Sequence, residues 1–410
     1  MGIQIRLSIM MFLQFFVWGA WFVTMGNYMG EHGLGAEISW AYSVCYIAAM
    51  ISPFFLGMVA DRFFASQRVL GLLHILGGLV MFLPPYAAGH WGGGGFVLVI
   101  FAHMLCYMPT LGLVNALSFH NLTDQEKQFP LIRVFGTIGW IAANNVVSFG
   151  LGADKTANMF YVTALSGVLL GLFCFSLPHT PPPAKGKRVT IRDVLGLDAL
   201  TLFRSPSFVV FVACSFLICI PLAAYYAFAP VFVDAVGFEK VGTWMSLGQV
   251  SEVLFMVAMP VFFMRFGVKW MLTVGMLAWV LRYGLFAGAS STDALWMVIG
   301  GIVLHGICYD FFFVTGQIYV DQKAPVDIRG KAQGLLVFIT IGLGMFIGTM
   351  VAGKIVKYFT ALDPESGAEV IDWFGVWVTP TIGAGLVLLL FVLSFREAPK
   401  TSDKGASVEA

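Results

Sequence analysis

The segment 178–206, PHTPPPAKGKRVTIRDVLGLDALTLFRSP, is the longest polar stretch inside this chain of 410 residues, and its prolines cannot continue a helix. Apolar runs flank it on both sides, and each is close to the length of about 20 residues that a helix needs to cross hydrocarbon. In chain order these runs, numbered here as spans 1 to 12, are residues 5–29, 37–60, 67–88, 93–119, 130–150, 156–177, 207–234, 242–264, 269–289, 294–320, 330–357 and 373–395.

The position of the polar segment divides the spans six and six. We therefore predict an all-α membrane protein of twelve transmembrane helices, arranged as two six-helix bundles. The predicted bundles comprise residues 1–177 and 207–397, with a cytoplasmic linker at 178–206 and a cytoplasmic tail at 398–410.

Composition requires lipid as the solvent for most of this surface. Hydrophobic residues make up 59% of the chain and charged residues only 11%, whereas soluble domains carry about 25% charged residues. The mean hydropathy is +0.86. The net charge of +1 gives no reason to expect a nucleic-acid partner, and the six cysteines all fall in apolar runs without the spacing of a metal or redox site.

Basic residues predict the orientation. The linker side of the spans holds seventeen of the 23 lysines and arginines, whereas the opposite side holds four, Lys155, Lys240, Lys354 and Lys357. Cytoplasmic loops of membrane proteins carry the excess of basic residues. We expect both termini to be cytoplasmic in a multi-pass protein of the cell inner membrane.

Four charged residues interrupt the apolar spans: Arg133, Glu252, Arg282 and Asp310. A charge at the centre of a membrane helix costs about 2.5–3.5 kcal/mol on insertion scales, so such residues are candidates for function. Two basic and two acidic groups could neutralise one another around one cavity, and a carboxylate there could exchange a proton as an arginine or substrate moves. For Arg282, a purely structural ion pair is an equally good interpretation.

Helical spacing places further polar and aromatic side chains beside these charges. Residues three, four or seven apart share a helix face. Three such faces are Arg133, Thr137 and Trp140 in span 5, Gln249 and Glu252 in span 8, and His305 and Tyr309 in span 10. Hydrogen-bonding groups combined with rings suit a sugar-like or heterocyclic solute, although any one such face is more often plain packing.

Several stretches resemble one family of transporters. They are FLQFFVWGAW at 12–21, YMPTLGLVN at 107–115, FPLIRVFGTIG at 129–139, QVSEVLF at 249–255 and YDFF at 309–312. The chain is similar to the bacterial nucleoside:H+ symporter family within the major facilitator superfamily. The turn Gly57–Arg62 also resembles the G-x-x-x-D-R loop of that superfamily.

The resemblance implies the fold of that superfamily and a nucleoside bound between the two bundles. It implies substrate contacts at Arg133, Thr137, Gln249 and Glu252, aromatic contacts at Trp140 and Tyr309, and proton coupling by Asp310 or Glu252 with Arg133 as partner. Two positions depart from the family pattern, which has amides on span 7 where this chain has Ala223 and Tyr226, and a phenol where it has His305. We include Tyr226 and His305 among the expected substrate contacts.

These observations predict proton-coupled uptake of a nucleoside by alternating access, with the proton gradient as energy source and no cofactor or metal. The expected partners are a small-molecule substrate, protons and the lipid bilayer, and we expect a monomer. No motif for ATP binding, zinc-dependent hydrolysis or a serine nucleophile is present, so an enzyme is not expected. An H+ symporter of a sugar or another small polar solute remains an alternative, as does a membrane receptor that does not transport.

Overall fold

The computed structural model describes residues 2–55, 64–182, 192, 196–292 and 294–396. The turn Gly57–Arg62, most of the basic part of the linker and the predicted tail at 398–410 lie outside the described residues.

The N-terminal half of the chain, residues 2–182, is helical. Its helices are α1 (Ile3–Phe22), α2 (Met25–Glu31), α3 (Ile38–Phe55), α4 (Ser66–Val80), α5 (Pro84–His90), α6 (Gly92–Asn121), α7 (Gln125–Asn144) and α8 (Asn158–Cys174). A short 3-10 turn at Gly35–Glu37 precedes α3. Helix α7 continues into a π-helical turn, Asn145–Gly150.

The C-terminal half, residues 196–396, begins with the 3-10 helix Leu197–Arg204. Its helices are α9 (Pro206–Ala235), α10 (Val241–Met245), α11 (Leu247–Thr292), α12 (Leu295–Val303), α13 (His305–Cys308), α14 (Thr315–Lys323), α15 (Arg329–Val337), α16 (Met345–Tyr358) and α17 (Trp373–Ser394). The remaining short elements are the π-helical turns Tyr309–Val314 and Phe338–Gly344, the 3-10 turn Val326–Ile328, and strands β1 (Thr360–Leu362) and β2 (Glu369–Ile371). The strands form an antiparallel hairpin that pairs Thr360 with Ile371.

Nine helical segments of the described chain are long and apolar enough to cross a membrane. One of them, residues 241–292, contains Gly267 at φ 66° and ψ −178°, which is not helical and lies between predicted spans 8 and 9. Helix α8 is a shorter apolar helix of 17 residues. The prediction of a mostly helical membrane protein with many spans is therefore confirmed at this level.

Glycines allow α1 and α7 to pack closely. A Cβ atom on Gly139 would collide with the backbone carbonyl oxygen of Phe12, and one on Gly19 would lie 3.0 Å from that of Trp140. Small residues permit this close approach of backbones in membrane helix pairs. The contact fixes Trp18 of α1 beside Trp140 of α7, with ring centroids 5.5 Å apart.

Polar contacts join the two halves at one end of the bundle, which we call the hairpin end. It contains the β-hairpin and the turns at 151–157 and 236–240. Lys155 forms an ion pair of 2.8 Å with Asp234, and the Gly242 amide donates to Asp154 over 3.4 Å. Asn27 donates to the Pro230 carbonyl oxygen over 3.0 Å. These contacts hold the halves together at that end.

At the opposite end, which we call the linker end, each described part of the linker binds its own half. The Thr180 amide donates to the Gln67 side chain over 2.9 Å, within the N-terminal half. In the C-terminal half, Asp198 lies 2.5 Å from Lys331 and 3.0 Å from Arg192. The described ends of the linker therefore stay with the halves that they join.

Candidate functional site

A cavity of about 250 Å³ lies between the halves. It is lined by Phe15, Trp18, Phe22, Tyr46, Arg133, Thr137, Trp140, Tyr226, Gln249, Glu252, His305, Tyr309, Ile341 and Met345. A larger groove of about 470 Å³ lies between α1 and α7 near the linker end, but it is mostly apolar and contains no charged side chain. The smaller cavity is the candidate site because it combines charge, hydrogen-bonding groups and rings.

All eight side chains that the sequence indicates for substrate binding line this cavity. They come from four places in the fold: Arg133, Thr137 and Trp140 from α7, Tyr226 from α9, Gln249 and Glu252 from α11, and His305 and Tyr309 from α13 and the π-turn after it. The three helix faces thus converge on one cavity.

Arg133 and Glu252 are the charged members of the cavity lining. The Arg133 guanidinium lies 4.3 Å from the centre of the Phe15 ring. Within the described part of the chain it forms no ion pair shorter than 4.0 Å. Glu252 has a neighbour in His305, whose Nε2 lies 3.7 Å from the carboxylate. The lining therefore presents a cation and an anion from opposite halves.

Asp310 and Arg282 lie outside the cavity lining, and both are fully buried. Neither oxygen of Asp310 has a hydrogen-bond partner among the described residues. Asp310 follows Tyr309 directly, so when the Tyr309 ring lines the cavity the next side chain points in another direction. The idea that all four buried charges surround one cavity is therefore wrong for these two, and no ion pair joins them within the described chain.

The cavity lining also includes residues beyond those predicted from the sequence. On α1, Phe15, Trp18 and Phe22 form one helix face, a spacing that could have identified them. The rings of Trp18 and Trp140 meet edge to face at 77°, and those of Phe22 and Tyr226 lie 6.3 Å apart. Aromatic side chains therefore cover much of the wall.

Behind α1, polar side chains join helices rather than face the cavity. Gln14 donates to Thr110 over 2.7 Å and accepts from His74 over 2.7 Å. The Tyr107 hydroxyl donates to the Gln14 carbonyl oxygen. Such interhelical hydrogen bonds satisfy polar groups away from water, so this network supports the wall that carries Trp18.

Known proteins share this sequence and fold. The family model described as "Nucleoside H+ symporter" matches residues 1–400. YegT of Escherichia coli (strain K12) is 42% identical over 403 residues, which cover 96% of this chain and 94% of YegT. The xanthosine permease of the same strain is 33% identical over 416 residues, with 96% of each chain covered. A crystal structure of nucleoside transporter NupG matches with a TM-score of 0.85 and 32% identity, over 97% of this chain and 100% of that chain. The resemblance read from the sequence is confirmed, and the chain belongs to the nucleoside H+ symporter family.

Proposed function

We propose that this protein takes up a nucleoside together with protons across the bacterial inner membrane. Family membership supports transport rather than catalysis. The observation that carries the proposal is the cavity between the halves, where Arg133 and Glu252 face a space bounded by aromatic rings. A nucleoside offers a ring system for stacking and hydroxyl groups for hydrogen bonds, which is the combination that this lining can bind.

Within the site we assign the base to the aromatic wall of Trp18, Trp140 and Tyr226. The Gln249 amide can then donate and accept hydrogen bonds at the sugar, and the Glu252 carboxylate accepts them from its hydroxyl groups. Arg133 and Thr137 lie across from these two residues on α7. The volume of about 250 Å³ is below the range of roughly 300–1,000 Å³ that is usual for small-molecule sites. This volume favours a single small solute.

We propose Asp310 or Glu252 as the group that carries the coupled proton, with Arg133 as the charge that responds to it. Asp310 is buried without a hydrogen-bond donor among the described residues, and it adjoins the substrate contact Tyr309. A proton entering down a membrane potential supplies about 2.3 kcal/mol per 100 mV. At about 1.4 kcal/mol per tenfold, this sustains a solute gradient of roughly fifty-fold.

We further propose twelve transmembrane helices in two six-helix bundles, with both termini and the linker end in the cytoplasm. The break at Gly267 divides one of the nine long apolar segments into two spans, and helices α3 and α8 supply two more. In alternating access the two bundles rock about a central site. Cross-half contacts such as Lys155–Asp234 then close the outward end in this structure. All residues of the candidate site come from one chain, which supports a monomer. The proton gradient supplies the energy for transport, so the proposal includes no cofactor.

The test is uptake of labelled nucleosides into proteoliposomes under an imposed proton gradient. We expect accumulation above the external concentration, and its loss when a protonophore removes the gradient. Nucleoside accumulation that does not depend on the proton gradient would contradict proton coupling. Facilitated exchange without accumulation in the wild type would contradict symport, and absence of counterflow would instead favour a receptor.

The proton-carrying residue is tested with Asp310→Asn, which keeps the shape of the side chain but removes its charge. We expect this variant to exchange nucleoside across the membrane but to lose uphill, pH-dependent uptake. Leu254→Ala, at an exposed position of α11 close to Glu252, is the matched control and keeps both activities. If Asp310→Asn still accumulates nucleoside in a pH-dependent way, the assignment to Asp310 is wrong.

A sugar or another polar solute is the second candidate, because Ala223 and Tyr226 replace amides that the family pattern has on this helix. A thermal-shift panel that compares nucleosides with sugars separates the two. Stabilisation by sugars alone would replace the nucleoside in the proposal.

A further inference from the structure

Arg282 is a buried cation without a counter-ion among the described residues. It lies in α11, and its side chain is fully shielded from the surroundings of the protein. None of its three side-chain nitrogens has a hydrogen-bond acceptor in the described part of the chain. An unpaired buried charge opposes folding. Within the described part of the chain, Arg282 therefore does not act as a member of an ion pair.

The guanidinium group instead lies against an aromatic ring. Its central carbon is 4.0 Å from the centre of the Tyr225 ring, within the range of a cation–π interaction. Such interactions are strongest where water is excluded. Arg282 thereby fixes the position of a ring on the neighbouring helix α9.

Tyr225 in turn contacts a residue of the cavity. Its ring is nearly parallel to that of His305, at 18° with centroids 5.6 Å apart. The Nε2 atom of His305 lies 3.7 Å from the Glu252 carboxylate. A continuous series of contacts therefore leads from the buried cation Arg282, through two stacked rings, to an anionic group of the cavity wall.

The geometry of this series defines what Arg282 can do. His305 and Glu252 line the candidate site, whereas Arg282 and Tyr225 lie behind them. The orientation of the His305 ring determines the position of its Nε2 atom. Because this atom lies 3.7 Å from the Glu252 carboxylate, its position affects the position of the carboxylate. The Tyr225 ring, which Arg282 contacts, restricts the orientations of the His305 ring more than aliphatic side chains alone would.

We propose that Arg282 is a positioning residue for substrate binding, acting through Tyr225 and His305 on Glu252. This inference rests on the proposed transport function. It assigns Arg282 an effect on substrate affinity, although Arg282 does not line the cavity. It differs from a structural role in one respect. A structural residue changes the stability of the fold, whereas a positioning residue changes the affinity for substrate at equal stability.

The experiment measures the KM and the maximal rate of nucleoside uptake in proteoliposomes, with melting temperature as a separate readout. We expect Arg282→Gln and Tyr225→Leu each to raise KM by about tenfold, in line with the strength of a desolvated cation–π contact. The maximal rate should change much less. The conservative variants Arg282→Lys and Tyr225→Phe retain a cation and a ring respectively, and should recover most of the lost affinity.

The double variant Arg282→Gln/Tyr225→Leu tests the series directly. Residues that act through one another are not additive, so its KM should equal that of either single variant. Fully additive KM effects would contradict action through Tyr225. Leu281→Ala, which removes an exposed neighbour on α11, is the control for changes in the helix itself.

A lower melting temperature with unchanged KM in Arg282→Gln would overturn the proposal in favour of a structural role. If Arg282→Gln yields no folded protein, Tyr225→Leu decides, because an unchanged KM there also overturns it. Failure of the wild type to transport any nucleoside contradicts the proposed function and this inference together. Wild-type transport with unaffected variants contradicts this inference alone.

Discussion

At the scale of single residues, Glu252 and Arg133 present opposite charges from the two halves of the chain to one space. Glu252 is the more constrained of the two, because His305 approaches its carboxylate and only 15% of its side chain is exposed. A carboxylate accepts two hydrogen bonds from neighbouring hydroxyl groups with good geometry. This is the arrangement that a ribose with adjacent hydroxyls requires.

Removing that carboxylate should therefore weaken discrimination among sugars. We expect the wild type to prefer a ribonucleoside over its 2′,3′-dideoxy analogue, and Glu252→Ala to lose about tenfold or more of that preference, since a hydrogen bond to a charged group contributes about 1.5–3 kcal/mol. Competition against counterflow of labelled ribonucleoside, which needs no proton gradient, measures the preference. An unchanged preference in Glu252→Ala would place the sugar elsewhere in the cavity.

The charges and the three helix faces could be predicted because a helix fixes which residues share a face, and because charge is rare in membrane helices. Tyr46, Ile341 and Met345 could not be predicted. These residues line the cavity because of the way in which helices from the two halves pack together. The spacing of residues within one helix does not predict that packing. Arg282 illustrates the same limit, since the identity of its neighbour Tyr225 is a property of packing between helices.

At the scale of elements, two of the three described π-helical turns contribute to the cavity. Tyr309 begins one and Ile341 lies within another, and Asp310 belongs to the same turn as Tyr309. A π-turn inserts extra backbone into a helix and shifts the faces on either side of it, and such turns are frequent at functional sites. The apolar pattern of predicted span 10 gives no sign of this turn, so the sequence predicts one uninterrupted helix there.

Close packing of α1 on α7 leads to a prediction about stability. Gly139→Ala should lower the free energy of unfolding by about 1–3 kcal/mol, because the added methyl group meets the backbone of Phe12, which cannot move aside as a flexible side chain can. Thermal unfolding in detergent measures the effect.

Gly383→Ala is its control, since a Cβ there meets nothing within 4 Å. That change should be neutral or slightly stabilising, as alanine favours helix over glycine by up to about 1 kcal/mol. Equal stability of the two alanine variants would show that α1 and α7 separate more easily than their packing indicates.

At the scale of the whole molecule, the contacts between Asp154 and the C-terminal half close the hairpin end. Asp154 accepts from Ser148 over 2.7 Å and from the Gly242 amide over 3.4 Å. Burial raises the pKa of this carboxyl group, although both hydrogen bonds oppose the shift. Asp234, Lys155 and Glu31 are the charged side chains nearby.

The sign of the resulting pH effect follows from these contacts. If the hairpin end opened, Asp154 would enter water and its pKa would return toward about 3.9. The protonated form is therefore favoured in the closed arrangement, so acidification through the raised pKa should increase the closed population.

Spin labels at the exposed positions 151 and 239 report the distance across this end. We expect short distances to gain population as the pH falls, and Asp154→Asn, which stays neutral, to lose that response. An identical response in Asp154→Asn would assign the pH effect to another group.

The glycine between the two arms of α11 has a consequence for motion. Gly267 adopts φ 66° and ψ −178°, a conformation that is essentially restricted to glycine. The chain changes direction at this residue, and only this residue departs from helical geometry between the arm that carries Glu252 and the arm that carries Arg282. Displacing one arm at the linker end should therefore displace the other, so that Arg282 would move together with Glu252 as the protein changes conformation.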